Sequence, residues 1–253
     1  MIKAILLDLD GTVYWGTKEV PGAGRFITNM RKKGIRCMFV TNRANRTRPR
    51  ICQQLQEYGI PCEPEDIITS ALATVQHLKK GSTYFIGEEG MKQAIEESQM
   101  TIDEESPNYV IVSYDRTVDY EKIKKACNLI HKGAKFIATN PDRGLKTQDG
   151  ISPGTGSIVA AVSAGCGVEP LIIGKPEKLI IEMALEQLDV PRDDVILVGD
   201  NIETDVPAGQ KAGLRTALLL GGISVLQDID NAPFQPTWIV ENYEELEQII
   251  AAG

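Results

Sequence analysis

Short apolar runs alternate with amphipathic stretches along most of the 253 residues. The runs at 4–7 and 195–198 predict buried strands, because continuous apolar runs of this length are typical of strands covered on both faces. The stretches at 22–33 and 48–58 predict helices between the strands. Residues 140–156, rich in Gly, Pro and Asp, predict a loop. This alternation predicts an α/β protein with a doubly wound, mostly parallel, Rossmann-like sheet.

The composition narrows the class of protein. Hydrophobic residues make up 42% of the chain and charged residues 25%, close to the globular average. There is neither an apolar run long enough to span a bilayer nor a secretory signal, so we expect a cytoplasmic protein without membrane partners. The net charge of −8, without a dense basic stripe, argues against nucleic-acid polymers as partners. The five irregularly spaced cysteines predict buried, reduced thiols.

The sequence Asp8-Leu9-Asp10-Gly11-Thr12 directly follows the first predicted strand. Ligands of open α/β sheets bind at the carboxyl ends of strands, so both carboxylates lie where chemistry is expected. Two acids this close repel each other, which makes a divalent cation a natural companion. Gly11 would let the backbone approach a phosphate. Taken alone, the motif could instead be an Asx-turn that ends the strand.

A second acidic group follows the apolar run at 195–198. Asp200 stands directly after Gly199, and Asp205 comes shortly beyond it. Hard oxygen ligands at this second strand end would complete a Mg²⁺ site, with water and substrate phosphate as further ligands. Helix capping by Asp200 or Asn201, with Asp205 in the first turn of the helix, is the structural alternative.

Further polar residues follow two other predicted strands. The hydroxyl of Thr41 and the amide of Asn42 can hydrogen-bond phosphate oxygens, or can cap a turn. Lys175, between Gly174 and Pro176, could offset charge on a nucleophile and a phosphoryl group, or could be an ordinary surface lysine. No motif is decisive alone, but four such motifs at four strand ends are hard to produce by chance.

In these motifs the sequence resembles the haloacid dehalogenase superfamily of phosphatases, and within it the NagD / para-nitrophenyl phosphatase group. Shorter stretches at 20–22, 137–142, 153–157 and 228–238 share the likeness. The resemblance implies a core made of residues 1–78 and 171–253, with residues 79–170 inserted as an α/β cap domain. The cap would close over the crevice and exclude water, and two caps could pack together in a homodimer.

The resemblance also implies a role for each acidic residue. Asp8 would attack phosphorus and form an aspartyl-phosphate. Asp10 would protonate the leaving oxygen and then activate the water that releases phosphate. Mg²⁺ would be held by Asp8, the Asp10 carbonyl and Asp200, with Asp205 supporting them.

The remaining candidates would bind the substrate. Besides Gly11, the residues implied to bind and neutralise the phosphoryl group are Thr41, Asn42 and Lys175. The loop at 139–142 would face the substrate with Asn140 and Asp142. Arg43 and Ala44 depart from the family pattern, in which many relatives carry Asn or Tyr and then Ser or Pro. Arg43 either contacts a second anionic group or merely covers the surface.

The sequence therefore predicts a Mg²⁺-dependent phosphomonoesterase for a small-molecule phosphate ester, with para-nitrophenyl phosphate as a generic substrate. Nucleotides, sugar phosphates, phosphoglycolate and pyridoxal phosphate are all open as substrates. A phosphotransferase or mutase on the same fold is the first alternative. A non-catalytic phosphometabolite-binding regulator is the second, but it would have lost the nucleophile or the acid/base, and Asp8, Asp10, Lys175 and Asp200 are all present.

Overall fold

The computed structural model describes residues 1–147, 150–230 and 232–252. The chain divides into two compact units. The first unit comprises Met1–Thr41, Pro49–Ile68 and Lys175–Gly253, and the second comprises Asn42–Arg48 and Thr69–Gly174. The second unit contains the whole stretch 79–170, whose assignment as a cap stays a prediction. Among the described residues, no helix is long and apolar enough to cross a membrane.

The bounds of the elements follow in chain order. The strands are β1 (Ala4–Leu7), β2 (Tyr14–Trp15), β3 (Lys18–Glu19), β4 (Arg36–Thr41), β5 (Ile67–Thr69), β6 (Lys80–Ile86), β7 (Gln99–Ile102), β8 (Tyr109–Val112), β9 (Lys135–Ala138), β10 (Gly144–Thr147), β11 (Gly150–Pro153), β12 (Leu171–Ile172), β13 (Val195–Gly199), β14 (Arg215–Leu219) and β15 (Trp238–Val240). The α-helices are α1 (Ala23–Lys32), α2 (Arg48–Glu57), α3 (Ser70–Leu78), α4 (Glu89–Glu96), α5 (Tyr120–His131), α6 (Thr155–Cys166), α7 (Leu179–Leu188), α8 (Asp205–Lys211), α9 (Leu226–Ile229) and α10 (Tyr243–Ala252).

The first unit contains a six-stranded sheet with the order β15-β14-β13-β1-β4-β5. β1 lies near its centre and pairs in parallel with β13 on one side and with β4 on the other. Both β1 and β13 are buried along their whole length, as expected for strands covered on both faces. Because these strands are parallel and in register, their carboxyl ends meet at one edge of the sheet. Asp8 follows β1, Asp200 follows β13, and β4 ends at Thr41.

Helices α1 and α10 supply apolar side chains to the core of the first unit. Phe26, Ile27 and Met30 of α1 lie three and four residues apart, so one helix face is buried. Tyr243 and Leu246 of α10 join the same apolar cluster, which also includes residues of β1 and β4. The first turn of α10 is thereby anchored in the core on which the carboxyl end of β1 rests.

The second unit contains a five-stranded sheet with the order β12-β9-β8-β6-β7, and its strand pairs are parallel. Helices α5 and α6 pack against it over an apolar cluster. The predicted loop at 140–156 is partly wrong, because β10 and β11 form an antiparallel hairpin within it. Its Gly, Pro and Asp residues lack strand propensity, so the hairpin depends on pairing between the two strands.

The cysteines agree only in part with the prediction of buried thiols. All five are free, and Cys37, Cys52 and Cys62 are buried. Cys127 and Cys166 are half-buried, because α5 and α6 each leave part of their surface to solvent.

Candidate active site

One buried lysine lies between two buried carboxylates at the carboxyl end of β1. Lys175 Nζ donates to Asp8 Oδ1 at 2.5 Å and to Asp205 Oδ1 at 2.5 Å. The lysine is 2% exposed, which excludes the alternative of an ordinary surface lysine. A buried ammonium is tolerated only when it is paired, and two short charge-assisted hydrogen bonds provide that pairing.

A third carboxylate completes the group. One oxygen each of Asp8, Asp200 and Asp205 lies within 4.8 Å of the others, and all three residues are buried. Asp205 Oδ2 also accepts the backbone N–H of Asn201 at 3.0 Å, and Asp200 Oδ2 accepts the N–H of Ile223 at 2.7 Å. Three carboxylates and one ammonium leave a negative balance in an oxygen-only donor set, which suits a hard divalent cation.

Burial and mutual repulsion shift the proton equilibria of this group. Burial raises the pKa of Asp8 well above its usual range, although the Lys175 charge opposes the shift. Burial, and then the charge of Asp205, raise the pKa of Asp200 to about 7. Burial alone would lower the pKa of Lys175, but Asp205 and Asp8 outweigh it and raise that pKa, so the lysine stays charged. Such shifts in a buried cluster are typical of functional sites.

Two glycines make room for the Asp200 carboxylate. A Cβ at Gly11, whose φ is +95°, would lie 2.2 Å from Asp200 Oδ2, and a Cβ at Gly222 would lie equally close to that oxygen. The sequence predicts that the Gly11 backbone approaches a phosphate, whereas in the structure the absence of a side chain at Gly11 leaves space for Asp200. Phosphate binding by Gly11 stays a prediction. The sequence analysis did not identify Gly222, although the Gly221-Gly222 pair lies one residue beyond the apolar strand β14.

The second acid of the first motif, Asp10, is half-buried and forms an isolated bridge with Tyr14. Its carboxylate is not part of the three-carboxylate group found among the described residues. Asp10 is expected to bind the metal through its backbone carbonyl and not through its carboxylate. Both this ligand role and the acid/base role of Asp10 stay predictions. Thr41, also a candidate for phosphate binding, is buried in the same unit.

Three of the predicted substrate residues meet inside the second unit. Asn42 Nδ2 donates to both oxygens of Asp142, at 3.1 and 3.3 Å. Asn140 Nδ2 donates to the Asn42 carbonyl at 2.8 Å, and its own Oδ1 accepts the Asp142 N–H at 3.3 Å. This network fixes the direction of the Asp142 carboxylate. Arg43 is half-buried beside Asn42 in sequence, and its role stays a prediction.

Comparison with known proteins identifies relatives of this chain. A family model for haloacid dehalogenase-like hydrolases matches residues 5–101, and a second, HAD-hydrolase-like model matches residues 172–246. The 5′-nucleotidase YutF of Bacillus subtilis is 38% identical over 247 residues, 96% of either chain. An acid sugar phosphatase of Staphylococcus aureus is 38% identical over 254 residues, 98% of this chain and 97% of the relative.

A solved structure extends the likeness to the whole fold. The crystal structure of a 4-nitrophenylphosphatase from Thermotoga maritima has a TM-score of 0.93 at 33% identity, and the match covers 98% of this chain and 97% of that chain. The predicted α/β fold is therefore confirmed. The chain belongs to the haloacid dehalogenase-like hydrolases and, within them, to the NagD / para-nitrophenyl phosphatase subfamily of phosphatases.

Proposed function

We propose that this protein is a Mg²⁺-dependent phosphomonoesterase that hydrolyses a small-molecule phosphate ester through an aspartyl-phosphate on Asp8. The observation that carries the proposal is the buried group of Asp8, Lys175, Asp200 and Asp205 at the carboxyl ends of β1 and β13. The names of the relatives support it, since they are a 5′-nucleotidase, an acid sugar phosphatase and a 4-nitrophenylphosphatase.

The donor set of the site fits Mg²⁺, a hard cation that prefers oxygen ligands and retains several waters. Asp8, the Asp10 carbonyl and Asp200 would hold the ion. Asp205 would support these ligands through Lys175, whose ammonium bonds both Asp8 and Asp205. When bound, the ion supplies Lewis-acid stabilisation of the charge on the phosphoryl oxygens.

Hydrolysis of the ester would then take place in two steps, the formation and the breakdown of the aspartyl-phosphate. In the first, a carboxylate oxygen of Asp8 attacks phosphorus, the bond to the ester oxygen breaks, and Asp10 gives that oxygen a proton. In the second, Asp10 takes a proton from the attacking water, the bond between Asp8 and phosphorus breaks, and phosphate leaves. Lys175 holds Asp8 in place and offsets the negative charge around the phosphoryl group.

We further propose that the second unit provides substrate specificity as a cap of residues 79–170. Asn42 and Asn140 fix the Asp142 carboxylate, which suits it to accept a hydrogen bond from a substrate hydroxyl or amine. Arg43 would contact a second anionic group. A homodimer through this unit, a cytoplasmic location and the absence of nucleic-acid and membrane partners remain predictions from the sequence.

Phosphate release tests the proposed function. The purified protein should release phosphate from para-nitrophenyl phosphate with Mg²⁺ and without any added acceptor, and EDTA should abolish the release until Mg²⁺ is restored. A panel of nucleotides and sugar phosphates at fixed Mg²⁺ then ranks the substrates. Turnover that needs an alcohol acceptor would identify a phosphotransferase instead, and binding without any turnover would favour a regulator.

The raised pKa of Asp200 predicts that Mg²⁺ stabilises the protein more at high pH. Without metal, the pKa of Asp200 is about 7 in the folded state and 3.8 in the unfolded state, so the folded state binds the proton more tightly. This proton stabilises the folded state fully when the pH is below 3.8, and the stabilisation is lost as the pH rises through about 7. Mg²⁺ competes with the proton for this carboxylate. At about 100 times its Kd, Mg²⁺ should contribute about 3 kcal/mol, or roughly 5–10 °C in Tm.

Thermal unfolding at about pH 8 and pH 5.5, with and without Mg²⁺ at constant ionic strength, measures this difference. The gain in Tm should be large at the higher pH and small at the lower one. The Asp200→Asn variant is the control and should show little gain at either pH. An equal gain at both pH values in the wild-type protein would contradict the assignment of Asp200 to the metal.

A further inference from the structure

We propose that Tyr243 is a positioning residue for the Asp200 carboxylate and acts on it through Thr12. The inference rests on the proposed function, because it takes Asp200 to be a metal ligand. Tyr243 is the first residue of α10 and lies 231 positions away from Thr12 in sequence. No sequence motif connects these two residues.

Two hydrogen bonds in series connect Tyr243 to Asp200. The Tyr243 hydroxyl donates to the backbone carbonyl of Thr12 at 2.6 Å. The Thr12 hydroxyl in turn donates to Asp200 Oδ1 at 3.3 Å, a long contact that depends on the placement of Thr12. Asp200 Oδ2 is held separately by the Ile223 N–H. One donor on each oxygen restricts rotation of the carboxylate, and the Thr12 donor is the one that Tyr243 controls.

Packing alone does not require the Tyr243 hydroxyl. The ring lies 4.9 Å from the ring of Phe26, centroid to centroid, and belongs to the apolar cluster under β1. A phenylalanine would fill this space equally well, whereas a buried tyrosine hydroxyl needs a polar partner. Burial, together with the charges of Asp8 and Asp200, raises the pKa of Tyr243, so its hydroxyl keeps its proton and can donate to Thr12.

The second unit offers a matched control for the loss of a buried tyrosine hydroxyl. Tyr84 is 8% exposed, and its hydroxyl also donates to a backbone carbonyl, that of Lys122, at 3.4 Å. Tyr84→Phe therefore removes the same chemical group from the same kind of bond, within the other unit. Any effect of Tyr243→Phe beyond that of Tyr84→Phe reports the connection to Thr12.

Calorimetric titration of the metal-free, full-length protein with Mg²⁺ tests the proposal independently of turnover. Tyr243→Phe should raise the Kd for Mg²⁺ about ten-fold, the lower end of the effect expected for loss of a direct partner of a metal ligand, because Tyr243 acts on Asp200 through Thr12. Tyr84→Phe should leave that Kd unchanged. In turnover assays, Tyr243→Phe should raise the Mg²⁺ concentration needed for half-maximal rate by the same factor, while KM for para-nitrophenyl phosphate at saturating Mg²⁺ stays the same.

If Tyr243→Phe does not fold, variants of Thr12 test the same hydrogen-bond connection to Asp200. Thr12→Val removes the hydroxyl and should weaken Mg²⁺ binding at least as much, whereas Thr12→Ser retains the donor and should restore the wild-type Kd. An unchanged Kd in both Tyr243→Phe and Thr12→Val would overturn the proposal. If the wild-type protein binds Mg²⁺ but releases no phosphate, the proposed function fails, and the comparison of Kd values still tests the positioning role.

Discussion

Replacing Asp8 by Asn should lower kcat for Mg²⁺-dependent hydrolysis of para-nitrophenyl phosphate by about 10⁴-fold or more, the scale of losing a covalent nucleophile. The amide has nearly the shape of the carboxylate, and its oxygen can still accept a hydrogen bond from Lys175. It has no anionic oxygen to attack phosphorus. The loss should therefore appear in kcat.

The same variant should fold at least as well as the wild-type protein when metal is absent. Burial, together with the charges of Asp205 and Asp200, raises the pKa of Asp8 by more than the Lys175 charge lowers it, so the folded protein favours a neutral group at this position. Thermal unfolding in EDTA at about pH 8 should give an equal or higher Tm for Asp8→Asn. Loss of activity together with a retained Tm separates a chemical role from a structural one.

Asp194→Asn is a suitable control for these measurements. Asp194 also belongs to the first unit and pairs with a lysine, Lys3, at 2.6 Å. It is not one of the residues of the candidate active site. This variant should retain wild-type turnover. Wild-type turnover by Asp8→Asn would instead assign the nucleophile to another group and remove the basis of the proposed mechanism.

Strands of both large sheets could be predicted from the local pattern of apolar residues alone. The bounds of β1 and β8 follow directly from short apolar runs, because strands buried on both faces need continuous apolar sequence. The hairpin of β10 and β11 could not be predicted in this way. Its Gly and Pro residues weaken the local strand signal, and the pairing is a property of two segments together.

The acidic motif at 200–205 has one residue that fits both interpretations of the sequence. Asp205 stands in the first turn of α8, as the capping alternative required, and it also belongs to the three-carboxylate group. Asp200 precedes that helix by several residues and does not cap it. Because α8 begins shortly after β13 ends, its first turn brings Asp205 close to Asp8 and Asp200.

The convergence of the strand ends explains which part of the site the sequence could reveal. Asp8 and Asp200 each follow a strand, and parallel neighbours place such residues together. The contacts between Tyr243 and Thr12, and between Asn42 and Asp142, join residues 231 and 100 positions apart outside any strand pairing. One sequence holds no signal for such pairs, because each residue type has many local explanations.

Replacing Lys175 by Met should reduce both the activity and the stability. The variant leaves Asp8 and Asp205 buried without their common cation, and breaking a buried ion pair typically costs about 3–5 kcal/mol. The rate should fall by about 10³-fold, because charge on the phosphoryl group is no longer offset. Urea unfolding in EDTA, together with kcat at saturating Mg²⁺, measures the two effects.

The pH dependence of that destabilisation identifies its origin. Without the ammonium, the pKa of Asp8 should rise further, so the folded state binds protons more strongly and loses stability as the pH rises. The destabilisation should therefore be larger at about pH 8 than at about pH 5. Lys122→Met, which removes a half-exposed lysine from the buried Asp115, is the matched control and should cost less, because solvent reaches that pair.

A double variant separates charge balance from catalysis. Adding Asp205→Asn to Lys175→Met removes one of the two carboxylates left without a cation, so it should recover part of the lost stability. It should not recover the rate, because the phosphoryl group still lacks the lysine. Recovery of both would mean that Lys175 serves only to neutralise Asp205, and recovery of neither would mean that packing of the lysine side chain determines the stability.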